Sequence, residues 1–415
     1  MSPSVSNLAL HLFRAPWVVP VTSAVLPDGA VVMNHDTIVE VGLYSDLCQR
    51  FPDIPVTECS GVILPALVNA HIHLDLSVYG PVPQEPTAGT MCDWISALLK
   101  KRFNSNYSDQ EIRSAAQKVA LAQYESGVGL MLDIGNIDLG KFESCPAEII
   151  SLLEMLGPSK EAAQTTITAI SDLSDDRMVT GHAPYSTTPD LLSYIKKRCT
   201  AQNGIFSLHL AENPDESLLF TYGTGCFSHF LKERGVVSDT FPVLEIDSTG
   251  VVGYLHKRGI FDEKTLCIHC VHIGDEEIKI LAESQAHVCL CPGSNSFLSV
   301  GCAPLEKFLD LNMLPAIGTD SITSNPRLDL WHEMALLREY YPTVPAETIL
   351  SMATLGGALA MHRDSDFGSL EKGRRSTILH LRSPQYEKAE NAQQLVELVI
   401  SGGRPDSIDW LSVSR

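Results

Sequence analysis

Four short pieces of the chain carry side chains able to hold a metal ion: His71-Ile-His73, His209-Leu-Ala-Glu212, His269-Cys-Val-His272 and Gly318-Thr-Asp320. His71 and His73 are two residues apart, so on a strand both point to one side and can grip a single ion. His209 adds a third imidazole and Asp320 a carboxylate. Three neutral imidazoles and one carboxylate suit a borderline divalent ion, zinc with iron as the alternative, and leave a position open for water. Glu212 follows His209 at a distance where a non-ligating carboxylate can collect a proton from activated water and pass it to a leaving nitrogen. His269 is placed to hydrogen-bond the attacking water, whereas His272 reads as a loop histidine. His182, in "VTGHAPYS", would face substrate.

Each piece closes a short apolar run, such as "VILPALVNAHIHL" or "TLCIHCVHI". Runs of that kind read as buried parallel strands, and catalytic groups collect at the carboxyl ends of strands in a parallel barrel. Strands are expected near 64–70, 128–134, 165–170, 178–183, 205–210, 265–270, 286–291 and 315–319. Helix-like segments fill the gaps; in "SDQEIRSAAQKVALAQYESG", Ser108 reads as the N-cap and Gly127 as the stop. The alternation predicts an α/β chain, a TIM (β/α)8 barrel, over 65–363. Short alternating runs in 1–64 and 364–415 predict a small β-sandwich domain built from both chain termini. A doubly wound sheet fits less well, because no Gly-rich phosphate turn follows the first strand. Two-metal barrels often carry a bridging carboxylated lysine on the fourth strand. "RMVTGHAPYS" has no lysine there, so one ion is expected.

The formal charge of −20 over 415 residues opposes a nucleic acid or an anionic membrane as partner. Residues 1–21 lack a basic region ahead of a clean apolar core, and no apolar run is long enough to span a membrane. The cluster Lys100-Lys101-Arg102 reads as a solvated helix C-terminus. Several of the 11 cysteines (Cys267, Cys270, Cys289 and Cys291) sit in apolar strand-like runs, where a reduced thiol behaves as a small hydrophobe. No second CxxC accompanies Cys267-Ile-His-Cys270. A reduced, cytoplasmic protein is expected.

The set "LPALVNAHIHLDLS", "GHAPYSTTPDLL", "SLHLAENPDE", "CIHCVHI", "CPGSNSFLSVGCAPLEKFLDLN" and "IGTDSITSNPRLDLWHEMALL" resembles the amidohydrolase superfamily. Within it, the chain looks like the mononuclear aminohydrolases, a branch that includes adenosine-type, S-adenosylhomocysteine and guanine deaminases and triazine hydrolases. By position, the resemblance implies His71, His73, His209 and Asp320 as metal ligands, Glu212 as proton shuttle and His269 as the group orienting water. It further implies Asp320 as the base for that water, and His182 and Asn295 as contacts to heterocycle or sugar. The implied partner is a small nucleoside-like molecule, and a homodimer is common among such relatives.

Around "TMCDWISALLKKRF" and "HLAENPDESLLFTYGTGCFSHFL", the chain is similar to aminodeoxyfutalosine deaminases of menaquinone synthesis. On that likeness Trp94 packs against the aromatic arm of the substrate and Arg102 pairs with its carboxylate. Enzymes acting on adenosine-type substrates commonly place an acidic residue shortly after this Trp, where Phe103 stands here. The alternatives are deamination of S-adenosylhomocysteine, methylthioadenosine, adenosine, guanine or a triazine, an amidohydrolase cleaving an amide, and an inactive metabolite-binding barrel.

Overall fold

A computed structural model describes residues 10–83, 90–235 and 249–413. Residues 1–9, part of the stretch in which no leader was expected, lie outside the described residues. Five strands come first: β1 (Leu10–Val18), β2 (Leu26–Asn34), β3 (Thr37–Leu43), β4 (Val56–Glu58) and β5 (Val62–Pro65). The middle of the chain contributes β6 (Leu67–Ile72), β7 (Val128–Gly135), β8 (Glu148–Met155) and β9 (Val179–Gly181). It continues with β10 (Phe206–Leu210), β11 (Thr265–His269), β12 (His287–Leu290) and β13 (Ala316–Ile317). The last strands are β14 (Ile378–Arg382) and β15 (Ser407–Leu411). Contacts divide the chain into two compact units: one reaches to Val68 and adds Ala122–Leu130 and Asp329 onward, and the other comprises Asn69–Leu121 and Met131–Leu328.

In the first unit, strands from both ends of the chain share one sheet, ordered β15-β14-β5-β1-β2-β3, with β4 beside β1. Alternation along β1 and β2 sends Phe13, Val31 and Met33 to a core with Ile38, Ile63 and Ile378. The intervening Leu12, Ala30 and Val32 pack instead on Leu47 of helix α1 (Tyr44–Arg50). The sheet folds over on itself, so that Thr37 bridges Arg375. A strand set closed around one core in this way is the small sandwich that the two ends were expected to build.

In the second unit, the strands form two four-stranded runs, β6-β7-β8-β9 and β10-β11-β12-β13. Pairing is parallel from β8 to β9 and throughout β10 to β13. The seams between the runs are bonded too. His209 donates its backbone N–H to the His182 carbonyl at 2.9 Å, and Ile72 makes a parallel bridge to Asp320. These links close the eight strands into the (β/α)8 barrel. Every residue of β6, β7, β10 and β11 is buried, as strands covered on both faces require.

Helix α2 (Met91–Asn104) starts at a capping box in which Thr90 and Asp93 bond reciprocally. In α3 (Asp109–Glu125), Ser108 and Glu111 do the same, and the chain turns away at Gly127 with φ +94°. One expected strand is corrected: residues 165–170 lie in helix α4 (Lys160–Ser171), and the third barrel strand is β8. The β-branched run "TTITAI" suggested a strand, but Ser159 caps a helix whose Ala163 and Ile170 turn inward. Helix α5 (Pro189–Ala201) precedes β10; α6 (Pro214–Tyr222) and α7 (Cys226–Glu233) follow it. Among the described residues, no helix is long and apolar enough to cross a membrane.

A second correction concerns the thiols. Cys92 on α2 and Cys226 on α7 form a disulfide across a sequence separation of 134. Closing so long a loop removes conformations from the unfolded chain and is worth about 2–4 kcal/mol. Replacing both residues by alanine, or reducing the bond, is therefore expected to lower the unfolding midpoint. Denaturant titrations with and without reductant that superimpose would show that the bond contributes nothing.

Candidate active site

β6 delivers His71 from within the strand and His73 from just beyond it, both buried. Asp320 is strapped beside them, since the backbone N–H groups of Thr319 and Asp320 both donate to the His71 carbonyl at 3.0 Å. Asn69 Nδ2 donates to Thr319 Oγ1 at 2.8 Å, reinforcing the strap. Gly318 makes this approach feasible: a Cβ there would lie 2.7 Å from the Cβ of His71. His209, near the end of β10, donates from Nδ1 to the His182 carbonyl at 2.9 Å. That bond fixes the tautomer and leaves the Nε2 lone pair free.

The four groups converge. His71 Nε2 and His73 Nε2 each lie 3.5 Å from Asp320 Oδ1, and His73 Nε2 lies 3.4 Å from His209 Nε2. An ion bound at about 2.0–2.1 Å by tetrahedral donors keeps those donors roughly 3.3–3.4 Å apart, so the spacing fits such an ion. His71 Nε2, which faces the other donors, is buried without a hydrogen-bond partner, as expected where a cation takes up its lone pair. Asp320 Oδ2 accepts from Ser294 Oγ at 2.6 Å and Ser324 Oγ at 2.8 Å, which leaves Oδ1 to face the rings. The left-handed backbone at Asp320 (φ +57°) and His269 (φ +71°) is strain of the kind stored at functional sites.

Glu212 Oε1 sits 3.5 Å from His269 Nε2. His269 Nδ1 donates to Asn295 Oδ1 at 2.9 Å, so Asn295 orients the histidine and is absent from the cavity wall, where a substrate contact was expected. His272 bonds the Val300 carbonyl at 2.7 Å, as a loop histidine would. His182 lines the cavity beside His73, His209, Glu212, His269 and Asp320. Above them rise apolar walls from α2 and α7, including Trp94, Leu98, Phe230 and Leu231. Trp94 Nε1 donates to the Val82 carbonyl at 3.0 Å, which locks the indole in the wall. Arg102 and Arg234 bring positive charge to the same cavity, and Arg102 Nη1 donates to Asn136 Oδ1 at 3.1 Å. Arg102 is thus no mere solvated helix end, whereas Phe103 points to solvent.

The profile of the amidohydrolase family matches residues 62–403. The chain belongs to this family. A Moorella thermoacetica protein named 5-methylthioadenosine/S-adenosylhomocysteine deaminase is 26% identical over 419 residues, covering 96% of this chain and 92% of its own length. Among solved structures, Helicobacter pylori aminofutalosine deaminase in complex with methylthio-coformycin has a TM-score of 0.79 at 23% identity, over 97% of this chain and 98% of its own. A Xanthomonas campestris adenosine deaminase with bound zinc gives 0.73 at 19% identity, over 97% and 91%. These likenesses are of fold.

In this amidohydrolase the acids around the centre are shifted by burial. Glu212 is raised well above the usual carboxylate range, first by burial and then by Asp320. Burial works to raise Asp320 as well, but His71, His73 and His269 hold it well below its usual value. Burial lowers His182 to about 3, and the other cluster rings also shift down. Burial thus favours the neutral form of these rings, which suits ligands and acceptors.

Sequence reasoning missed three supporting carboxylates. Glu216 accepts the backbone N–H groups of Ala211, Glu212 and Asn213, and so fixes the turn that carries Glu212. Its signal was legible as the helix-start pattern Asn213-Pro-Asp-Glu216. Glu154, on β8, lies in the cavity wall. Asp133, on β7, accepts from the Leu74 N–H at 3.0 Å and from Ser151 Oγ at 3.2 Å, which holds the turn after His73.

Burial raises Asp133 to about 7, and Asp75 adds to the shift. The folded state therefore holds this proton more tightly than the unfolded chain. Its contribution to stability is full at low pH and falls as pH rises from the unfolded value toward 7. Asp133→Asn is expected to flatten that fall by roughly 1 kcal/mol per pH unit between about pH 5 and 7. Equal slopes for wild type and variant in denaturant titrations would contradict it.

Proposed function

We propose that this amidohydrolase is a zinc-dependent hydrolytic deaminase of an adenine-type nucleoside, with one ion held by His71, His73, His209 and Asp320. Its substrate is aminodeoxyfutalosine, which it converts to futalosine and ammonia in menaquinone biosynthesis within the cytoplasm. One observation carries the substrate reading: the donor cluster opens into a single cavity with the apolar walls of α2 and α7 and two guanidinium groups. An apolar arm ending in a carboxylate matches that sequence of surfaces. A thioether nucleoside is the second reading, favoured by the Moorella relative and by the same apolar walls.

A zinc ion held by His71, His73, His209 and Asp320 would supply Lewis acidity and would lower the pKa of water toward neutrality. Asp320 Oδ1, facing His71 and His73, is placed to take the water's first proton. Glu212, whose carboxyl burial pushes up, supplies a proton to the ring nitrogen and recovers one from water. His269, held by Asn295, steadies the oxygen as its bond to the ring carbon forms. The carbon–nitrogen bond then breaks, and Glu212 delivers the proton with which the amine leaves as ammonia. The proton held by Asp320 then returns to Glu212 and restores its acid form, so that water is the net source of the protons on the ring nitrogen and on ammonia.

The test is ammonia release by zinc-loaded protein on aminodeoxyfutalosine, adenosine, S-adenosylhomocysteine, methylthioadenosine and guanine. Preference for the first supports the pathway; preference for a thioether nucleoside replaces it, and silence on all five removes the deaminase reading. Glu212→Gln is expected to retain zinc and lose a factor of about 10²–10⁴ in kcat. A loss below tenfold would deny it the proton-transfer role. Arg102→Ala is expected to raise KM for the carboxylated nucleoside by at least about tenfold while sparing uncharged nucleosides, as loss of a charge-assisted bond implies. Equal effects on both would sink the arginine's part.

A further inference from the structure

Glu154 reaches the cavity from β8, on the same strand face as the buried Leu152. Its two oxygens are treated unequally. Oε2 accepts from Asn136 Nδ2 at 3.0 Å, and Asn136 is itself held by Arg102 Nη1 at 3.1 Å and by its own N–H to Asp75 Oδ2 at 3.0 Å. Oε1 is buried and has no hydrogen-bond partner. The nearest ring nitrogen, His209 Nδ1 at 3.8 Å, already donates to the His182 carbonyl. A buried acceptor left open in a cavity wall, on a side chain gripped from behind, is unfavourable unless a ligand completes it.

His182 offers a second open acceptor. Ser186 Oγ donates to the Ala183 carbonyl at 3.2 Å, so it accepts from His182 Nδ1 at 2.5 Å and leaves Nε2 with its lone pair. Ligating atoms of Glu154, His182 and His209 lie within 4.8 Å of one another. The trio does not make a second cation site, because His209 spends Nδ1–H on the carbonyl and turns Nε2 to His73. What the pair of acceptors calls for is a ligand with two adjacent donor groups, and a nucleoside offers such a pair of neighbouring hydroxyls in the ribose cis-diol.

We infer that Glu154 is a specificity-determining residue that receives the ribose hydroxyls through Oε1, with His182 beside it. This rests on the nucleoside reading above. The test compares kcat/KM for a ribonucleoside substrate and its 2′-deoxy and 3′-deoxy counterparts, in zinc-loaded wild type and Glu154→Gln. Wild type is expected to favour the ribonucleoside by roughly ten- to hundred-fold, the range for a hydrogen bond to a charged group. In Glu154→Gln that ratio is expected to collapse toward one, chiefly through KM. Should that variant not accumulate, Asn136→Ala removes the donor that orients the carboxylate and is expected to lower the ratio as well.

A wild type that ignores the missing hydroxyl, or variants that keep the wild-type ratio, would overturn the assignment while leaving the deaminase standing. A wild type inactive on every nucleoside would remove both. General loss of activity with the ratio unchanged would mark Glu154 as structural only.

Discussion

Everything in the barrel unit answers to one electrostatic constraint: four electron-rich donors have to be held within about one bond-pair length of each other, out of water. His71, His73 and His209 turn ring nitrogens toward Asp320 and one another at 3.4–3.5 Å. Lone pairs so placed repel, and burial removes the solvent that would soften the repulsion. A cation converts the repulsion into binding energy, provided the donors cannot swing away to relieve it. The surrounding structure prevents that swing. The His182 carbonyl holds His209, Ser294 and Ser324 hold one oxygen of Asp320, and two backbone bonds tie the Asp320 segment to His71. Gly318 is the steric condition for the last of these.

A shell of acids encloses this centre, and its logic differs from that of the ligands. Asp133, Glu154 and Glu216 are raised to about 7, 7 and 8, in each case first by burial. Each organises backbone or side chain near a functional group: the turn after His73, the cavity wall, and the turn bearing Glu212. Buried carboxyls perform such work without piling charge around the centre, because they sit near the point at which a proton neutralises them. A bound divalent cation would lower their pKa values again, so metal loading and the charge of this shell are linked.

What could be read in the chain, and what could not, divides along the same lines. The ligands were legible because each ends an apolar run, and such runs are long enough to be recognised as strands. The run "EIISLLEM" was passed over for "TTITAI", and with it Glu154 lost its place on a strand end. Short apolar runs do not distinguish buried strand from buried helix, and here a serine cap outside the run decided the matter. Asn295 sits in a recognisable motif, yet its amide oxygen is engaged by His269, a pairing across 26 residues that the motif does not encode. The Cys92–Cys226 bond joins residues 134 apart, and spacing alone cannot pair cysteines at such range.

Chemistry and selectivity are carried by different parts of the barrel, and this has a physical consequence. The donors stand at or just beyond strand ends, whose positions are fixed by ladders on both sides, and Glu212 on the braced turn after β10. The apolar walls come from α2 and α7, and the arginines from α2 and the residue that ends α7, all of which reach the cavity from outside the ladder. Helices lacking such a frame need other restraints, and three are present: the Thr90–Asp93 capping box, the bond from Trp94 to the Val82 carbonyl, and the disulfide between α2 and α7. Substitutions on those helices can reshape the wall without disturbing the 3.4–3.5 Å geometry of the cluster. Glu154 is the exception, since it stands on a strand end beside His209 and yet faces the wall. A residue in that position couples the two parts: whatever seats against it is brought into register with the centre.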